Sequence, residues 1–249
     1  MTLHQRELAW EGTLNVRDLG GHKTEDGGET KYARVVRADS IRRLTDAGWK
    51  ALLDYGVRTI IDLRTDEERQ ADPPGEMPME IEHISLFDED PLVFMKTDAV
   101  AEAAPDAATA TRDVYLIFLE SFKRNIAAAI RAVGGAPDGA VVVHCMGGKD
   151  RTGLITAFLL HIAGVDNEQI AADYALSEER LRPRHEEWFA AAESDAELER
   201  LKRIAQTPAE SILGAFEELE RRYGSVEGYL RAAGVTDDDL VRIRARLRD

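Results

Sequence analysis

The sequence predicts an α/β protein with a mostly parallel central sheet flanked by helices, and a helical elaboration at the C-terminus. Two observations support this fold class: four short segments are continuously apolar and rich in β-branched residues, and helical patterns separate them. Continuous apolar content is typical of strands covered on both faces, and strands that alternate with helices form layered α/β sheets. A chain of 249 residues also fits one domain of ordinary size. We therefore expect a single domain over 1–249, with an α/β core over about 1–165 and a helical part over about 166–249 packed on it.

The elements follow in chain order. Strands are predicted over 33–37, 57–63, 81–86 and 140–144. A helix is predicted over 46–55, between the first two strands, because Thr45 is a suitable N-cap. A long amphipathic helix over about 113–133 separates the third strand from the fourth, and from residue 167 onward the chain is predicted to be helical.

An alanine-rich segment over 99–111 is weakly patterned, and Pro105 interrupts it. Two interpretations stay open for this segment: a surface loop, or a flexible lid over a binding site. In the helical part, Trp188 and Phe189 are predicted to pack in the core.

Composition excludes several classes of protein. A net charge of −15, from 32 basic and 47 acidic side chains, disfavours nucleic-acid binding, which needs a basic face. The longest apolar run, over 154–165, is too short for a membrane span and contains His161. One cysteine excludes an internal disulfide and a multi-cysteine zinc site, and the histidines lack ligand spacing, so no metal is expected. Because residues 1–12 carry no hydrophobic signal core, we expect a cytoplasmic protein, with signal-less secretion left open.

The most informative segment is the string HCMGGKDRTG over 144–153. Cys145, the only cysteine, is followed at the sixth position by Arg151, and the loop between them joins the fourth strand to an apolar helix. Such a strand–loop–helix offers an anion converging backbone N–H groups, a helix N-terminus and a guanidinium. The same dipoles and charges favour the thiolate, which is the nucleophilic form of cysteine. Gly147 and Gly148 allow the loop to curl with its amides inward.

The alternative for Cys145 is an inert buried thiol, which is the usual state of a lone cysteine. The position of Arg151, the paired glycines and the strand-to-helix context favour the nucleophile. His144 is expected to orient the loop through hydrogen bonds. Thr152 is expected to hydrogen-bond the sulfur or to cap the following helix.

The loop and three further stretches resemble an atypical bacterial tyrosine phosphatase family, which includes dual-specificity and phosphoinositide phosphatases. The further stretches are NVRDLGG over 15–21, Asp62-Leu63-Arg64, and YGSVEGYL over 223–230, so the resemblance spans nearly the whole chain. It implies a cysteine-phosphatase fold and phosphomonoester hydrolysis through a phosphocysteine on Cys145, with Arg151 as the phosphate clamp.

The resemblance also implies roles for other residues. Asp150, inside the loop, takes the general-acid role that other tyrosine phosphatases give to a separate mobile loop. Asp62 and Arg64 match positions that support the loop, and a plain strand-end salt bridge is an equal alternative. Arg17 is a further supporting residue and a candidate source of local positive charge. The expected phosphate-binding residues are Met146, Gly147, Gly148, Lys149 and Thr152, and the family associates the charge of Lys149 with phosphoinositide head groups.

Other carboxylates are candidates for the general acid. Ordinary dual-specificity phosphatases carry this acid well upstream of the cysteine, and Asp113 lies at the matching distance. Asp113 also begins the predicted long helix, where a negative charge is favourable. Asp88 and Asp90 lie in a polar segment and are further candidates. The resemblance favours Asp150.

The expected function is metal-free and cofactor-free hydrolysis of phosphomonoesters. The expected partners are a phosphorylated protein, carrying phosphotyrosine or phosphoserine and phosphothreonine, or a phosphoinositide; the sequence does not predict an oligomeric state. Two alternatives belong to other classes: a sulfurtransferase-like cysteine enzyme, and a non-catalytic module that binds phosphorylated ligands. Thiosulfate consumption would indicate the first alternative, and the absence of a phosphate burst the second.

Overall fold

A five-stranded sheet runs through the part of the chain that the computed structural model describes, which is residues 6–73, 79, 81–87 and 90–248. Its strands are β1 (Arg17–Asp18), β2 (Val35–Ala38), β3 (Val57–Asp62), β4 (Ile81–His83) and β5 (Ala140–His144). The spatial order is β1-β2-β5-β3-β4, and only β1 is antiparallel to its neighbour among these strands. The prediction of a mostly parallel sheet flanked by helices is therefore confirmed.

The helices lie on both faces of the sheet. They are α1 (Asp46–Asp54), α2 (Asp66–Ala71), α3 (Pro91–Ala103), α4 (Ala107–Ser121), α5 (Lys123–Gly135), α6 (Asp150–Ile162), α7 (Asn167–Ala190), α8 (Asp195–Ala205), α9 (Ala209–Tyr223), α10 (Val226–Ala233) and α11 (Asp237–Arg248). One apolar cluster packs α1 and the N-terminal segment against one face, and a larger cluster packs the later helices against the other. Thr45 caps α1 as predicted, because its side chain accepts a hydrogen bond from Gly48 N.

The registers of the central strands bring three chain segments to one edge of the sheet. His144, the last residue of β5, is level with Ala38 at the end of β2 and with Asp62 at the end of β3. These three strands are parallel, so the residues that follow them leave the sheet side by side. Open α/β sheets bind ligands at this carboxyl edge.

The helical C-terminal part packs directly on the core. Phe158 of α6 stacks on Phe216 of α9 and on Tyr229 of α10, with ring centroids 5.6 and 5.7 Å apart. The buried Tyr229 hydroxyl donates to the Leu119 carbonyl oxygen of α4 at 2.8 Å. Aromatic stacking and a satisfied buried hydroxyl therefore join α9 and α10 to the helices of the core.

The structure corrects two predictions about helices. Residues 99–111 are not a loop, because α3 continues to Ala103 and α4 begins at Ala107. The signal for α3 was Asp90 followed by Pro91, an N-cap and a proline at the first helical position. The predicted helix over 113–133 is two helices, which meet at the non-helical Phe122 (φ −117°, ψ 32°).

The prediction that Trp188 is a core residue is also wrong. Trp188 lies near the end of α7 and is 42% exposed, although its ring contacts that of His185. Phe189 is partly buried. The last turn of α7 is mostly exposed, so the Trp188 ring remains in contact with solvent. Among the described residues, no helix has the length and hydropathy that a bilayer span needs.

Candidate active site

The predicted loop connects β5 to α6 at the carboxyl edge of the sheet. Cys145 follows β5 directly and is 2% exposed, and α6 begins at Asp150. Nearly every residue of α6 is buried, so the position of its N-terminus relative to the sheet is fixed. Cys145 therefore lies at the positive end of an immobilised helix dipole, where an anion is stabilised.

The carbonyl groups of the loop point away from its centre. The four that follow one another from Cys145 to Gly148 accept hydrogen bonds from His144 Nδ1 (3.2 Å), Ser40 N (3.0 Å), Asn15 Nδ2 (3.1 Å) and Arg37 Nη2 (2.8 Å). A peptide N–H points opposite to the carbonyl of the same peptide unit, so the following amides face inward. None of the amides of residues 146–149 donates to another described group. Converging donors of this kind are suited to binding an anion.

A buried carboxylate controls two of these four hydrogen bonds. Asp173 of α7 accepts from Arg37 Nη1 at 2.8 Å and from Arg17 Nε at 3.0 Å. Arg17 then donates to Asn15 Oδ1 at 2.6 Å, which turns the Asn15 amide nitrogen toward Gly147. Although burial alone would raise it, the pKa of Asp173 is held well below its usual range by the charges of Arg17 and Arg37.

Arg17 therefore lies behind the loop and is fully buried, rather than at a substrate-facing surface. Arg37 and Asp173 were missed in the sequence. Their signal was a charged residue inside an otherwise apolar stretch, in β2 for Arg37 and in α7 for Asp173. Such a position is typical of a paired charge in the interior.

Asp62 and Arg64 form a buried ion pair at the end of β3. Arg64 donates from Nε to Oδ1 at 3.0 Å and from Nη2 to Oδ2 at 2.8 Å, and both side chains are 1% exposed. His144 Nε2 lies 3.7 Å from Asp62 Oδ1. Burial lowers the pKa of His144, against the opposing charge of Asp62, so the ring is neutral and donates from Nδ1 to the Cys145 carbonyl. These contacts of Asp62 and Arg64 are compatible with both interpretations, support of the loop through His144 and a plain salt bridge at the end of β3.

Arg151 is held by a residue that the sequence did not point to. Glu68 of α2 accepts from both terminal nitrogens of Arg151, with Nη2–Oε1 at 2.7 Å. The same carboxylate closes a capping box, accepting from Thr65 N at 2.8 Å. Glu68 binds only Nη1 and Nη2 of Arg151, and Nε of Arg151 has no hydrogen-bond partner among the described residues. One edge of the guanidinium therefore stays open to a phosphate, and the only sequence signal for Glu68 was the T-x-x-E capping pattern.

Lys149 and Asp150 have different surroundings. Lys149 Nζ donates to the carbonyl oxygens of Ile204 at 2.6 Å and Gln206 at 3.2 Å, so its charge lies at the C-terminus of α8. Asp150 Oδ1 accepts from the Tyr115 hydroxyl at 2.7 Å. The ammonium expected to face a substrate head group is thus already bound by backbone carbonyls, and the expected acid has a hydroxyl partner.

The other candidate acids lie elsewhere. Asp113 is inside α4 and pairs with Arg112 at 2.8 Å, and Asp90 accepts from Leu92 N as the N-cap of α3. Neither lines the cavity described below. Asp88 lies outside the described residues. Thr152 is not the N-cap of α6, and its buried hydroxyl has no hydrogen-bond partner, the sulfur included, in the described part of the chain.

A cavity of about 930 Å³ opens above the loop. Its walls come from α3, α4 and α8, and on the loop side it is lined by Glu68, Lys149, Asp150 and Arg151. Residues 99–111, interpreted as either a surface loop or a lid, therefore contribute helical walls to the cavity. The three charged residues of the loop, Lys149, Asp150 and Arg151, therefore line this cavity.

Several known proteins are similar to this chain. The sequence model described as "Tyrosine phosphatase family" matches residues 8–249. A tyrosine-protein phosphatase of Nostoc commune is 29% identical, covering 85% of this chain and 73% of that protein. The triple specificity protein phosphatase PtpB of Mycobacterium tuberculosis is 29% identical, covering 97% and 98%. A putative tyrosine-protein phosphatase of Cupriavidus necator is 24% identical, covering 96% and 88%.

Alkylation should reveal the state of the Cys145 sulfur. Iodoacetamide should modify Cys145 at least about tenfold faster than free cysteine, because the loop amides and Arg151 favour the thiolate, which is the form that reacts. Inorganic phosphate should slow the reaction, because phosphate binds the same loop amides and Arg151 that stabilise the Cys145 thiolate. Mass spectrometry of the labelled peptide measures both rates, and a sluggish reaction that phosphate does not affect would contradict this assignment.

The two loop glycines should respond differently to alanine. Gly148 has φ +64°, and a Cβ there would lie 2.5 Å from the Ala38 carbonyl oxygen. Gly148→Ala should therefore lower the free energy of unfolding by about 2 kcal/mol or more. Gly147→Ala, whose Cβ would meet only Leu181 at 3.8 Å, should change it by less than about 1 kcal/mol. Denaturant unfolding measures both variants, and equal losses would contradict the loop geometry.

Proposed function

The chain belongs to the tyrosine phosphatase family, and from this membership we propose that it hydrolyses phosphomonoesters through a phosphocysteine on Cys145. Membership makes the protein a cysteine-based phosphomonoester hydrolase. One observation supports the covalent route most: the four outward carbonyls that turn the loop amides toward a common centre beside Cys145. We take 1–249 as one phosphatase domain, because aromatic contacts join its helical part to the core.

In the first step the Cys145 thiolate attacks phosphorus in line with the bond to the leaving oxygen. The S–P bond forms as the P–O bond breaks, and Asp150 gives its proton to the leaving oxygen, so that the alcohol or phenol departs neutral. The inward amides and the open edge of Arg151 bind the equatorial oxygens. Because the transferred phosphoryl group is largely metaphosphate-like, this positioning and charge stabilisation supply most of the rate.

In the second step a water molecule attacks the phosphocysteine. Asp150, now a carboxylate, takes a proton from the water, the S–P bond breaks, and inorganic phosphate leaves with the thiolate restored. The two steps balance in protons, and neither uses a metal ion or a cofactor. The nucleophile must stay reduced between turnovers, which suits the cytoplasm as the working compartment.

Phosphotyrosine in a protein is the substrate that the cavity fits best. Phe87, Phe94 and Phe118 line its walls and provide apolar surface for an aryl ring. The ring of Phe118 stacks on Phe87 and meets Phe94 edge-on, so these aromatic walls support one another. The phosphoinositide alternative depends on the charge of Lys149, and that ammonium is bound to two backbone carbonyls.

The alternatives from other classes have less support. A sulfurtransferase does not need a carboxyl group in the loop to protonate a leaving oxygen, whereas Asp150 lines the cavity beside Arg151. A binding module does not need a nucleophile at the helix N-terminus. Thiosulfate consumption would favour the first alternative, and binding of phosphotyrosine peptide without phosphate release the second.

The role of Asp150 predicts a dependence on the leaving group. Asp150→Asn should lower kcat/KM for phenyl phosphate by about 100-fold, because phenolate is a poor leaving group that needs a proton. The same variant should lower kcat/KM for dinitrophenyl phosphate by less than about threefold, since that phenolate leaves without help. Phosphate release measures both.

Cys145→Ser is the control for the proposed function, and it should release no phosphate from either ester. Equal losses on both esters in Asp150→Asn would remove Asp150 as the acid while leaving the phosphocysteine intact. Phosphate release by Cys145→Ser at the rate of the unsubstituted protein would contradict the covalent route itself.

The role of Lys149 can be separated from head-group recognition. Lys149→Gln should lower kcat/KM for a phosphotyrosine peptide and for a phosphatidylinositol monophosphate by the same factor, about tenfold, because it removes a charged hydrogen bond that holds the end of α8 beside the site. Lys202→Gln is the matched control, since it removes an exposed positive charge that pairs with Glu199 on the same helix. A loss confined to the lipid would instead assign Lys149 to the head group.

A further inference from the structure

Two buried tyrosines from different helices converge on Asp150. Tyr115 of α4 is 2% exposed and Tyr174 of α7 is 1% exposed, and their hydroxyl oxygens lie 2.7 Å apart. The Tyr115 hydroxyl donates to Asp150 Oδ1, also at 2.7 Å. The two rings meet edge to face, and Gly153 of α6 lies so close to the Tyr174 ring that a Cβ would come within 2.9 Å of it. The pair is therefore packed tightly against the start of α6.

This contact makes the two carboxyl oxygens of Asp150 unequal. Oδ1 faces the Tyr115 hydroxyl and lies 3.7 Å from Lys149 Nζ. Oδ2 has no hydrogen-bond partner within the described ranges. The Asp150 side chain is 46% exposed and lines the cavity above the loop. One oxygen is thus bound to the protein, and the other is left without a protein donor on a side chain that lines the cavity.

The direction of the hydrogen bonds follows from the number of protons. A carboxylate only accepts, and each hydroxyl donates one hydrogen, so Tyr115 gives its hydrogen to Asp150 and Tyr174 gives its hydrogen to Tyr115. Burial, followed by the charge of Asp150, raises the pKa of both tyrosines well above the ordinary range. Both hydroxyls therefore remain donors at neutral pH, and the chain Tyr174–Tyr115–Asp150 keeps one direction.

We propose that Tyr115, supported by Tyr174, is a positioning residue that makes Oδ2 the proton-donating oxygen of Asp150. While Asp150 is protonated, Oδ1 accepts from Tyr115 and the proton stays on Oδ2, beside the leaving oxygen. When the P–O bond breaks, that proton passes to the leaving oxygen and negative charge develops on the carboxylate. The hydrogen bond to Oδ1 then strengthens, because a charged acceptor binds a donor more tightly, and this favours the transition state over the ground state. The proposal rests on the general-acid role of Asp150 in the proposed function.

Removal of the Tyr115 hydroxyl tests the proposal, because phenylalanine keeps the ring and its packing. Tyr115→Phe should lower kcat/KM for phenyl phosphate by about tenfold, the size expected for one lost hydrogen bond to a charged group. It should lower kcat/KM for dinitrophenyl phosphate by less than about twofold, since this leaving group needs no proton. Tyr174→Phe should show the same selectivity with a smaller loss, and it carries the test if Tyr115→Phe does not fold.

A double-mutant cycle separates positioning from general packing. In the Asp150→Asn background, Tyr115→Phe should change the rate on phenyl phosphate by less than about twofold, because the acid on which Tyr115 acts is gone. Tyr229→Phe is the matched control. It removes a buried hydroxyl that donates to the Leu119 carbonyl, and it should leave the ratio of rates on the two esters unchanged.

Each outcome decides between defined alternatives. Suppose that Asp150→Asn loses more activity on phenyl phosphate than on dinitrophenyl phosphate, while Tyr115→Phe loses the same on both esters. This result would overturn the positioning role of Tyr115 and leave Asp150 as the acid. The same holds if Tyr115→Phe causes its full loss in the Asp150→Asn background. If Asp150→Asn loses the same activity on both esters, Asp150 is not the acid, and the positioning role of Tyr115 falls with it. Losses confined to phenyl phosphate in both single variants, together with a non-additive loss in the double variant, would support the proposal.

Discussion

The site depends on one constraint: each carbonyl oxygen of the loop from Cys145 to Gly148 accepts a hydrogen bond from a group that flanks the loop. An isolated loop of this length, with two glycines, has many conformations of similar energy. Donors on β2, on Ser40 just after it, on β5 and on the N-terminal segment select the one in which the amides converge. The ring of donors therefore exists before any anion arrives, and binding does not have to supply the energy to form it.

The charges behind the loop make this constraint rigid. Asp173 binds Arg17 and Arg37 in an almost fully buried cluster, and removal of one partner from such a cluster leaves an uncompensated charge in the interior. Partial disorder of the loop would break the same contacts. Glu68 plays a comparable part in front of the loop, where it fixes two nitrogens of Arg151 and leaves one edge of the guanidinium open. Support on both sides of the loop keeps its geometry within a narrow range.

The fold class and the loop were predictable because both depend on local patterns. Continuous apolar runs identified the strands, and the spacing from Cys145 to Arg151 identified the loop. The partners of the loop were not predictable, because Asp173 and Tyr115 reach it through the tertiary packing of α7 and α4. The break at Phe122 also escaped prediction, since no glycine or proline marks it. Local signals therefore predicted the loop, and long-range contacts determine how its groups are held.

The bond from Lys149 to the end of α8 has a consequence for the reading of signature strings. Lys149 of the string donates to two main-chain oxygens at the end of a distant helix, and it would lose these partners if that helix ended one turn earlier. Two homologues with identical strings can therefore differ in the ligands they accept. The ligand preference of a homologue therefore depends on the elements packed around the loop. That preference can change during evolution while the signature string stays the same.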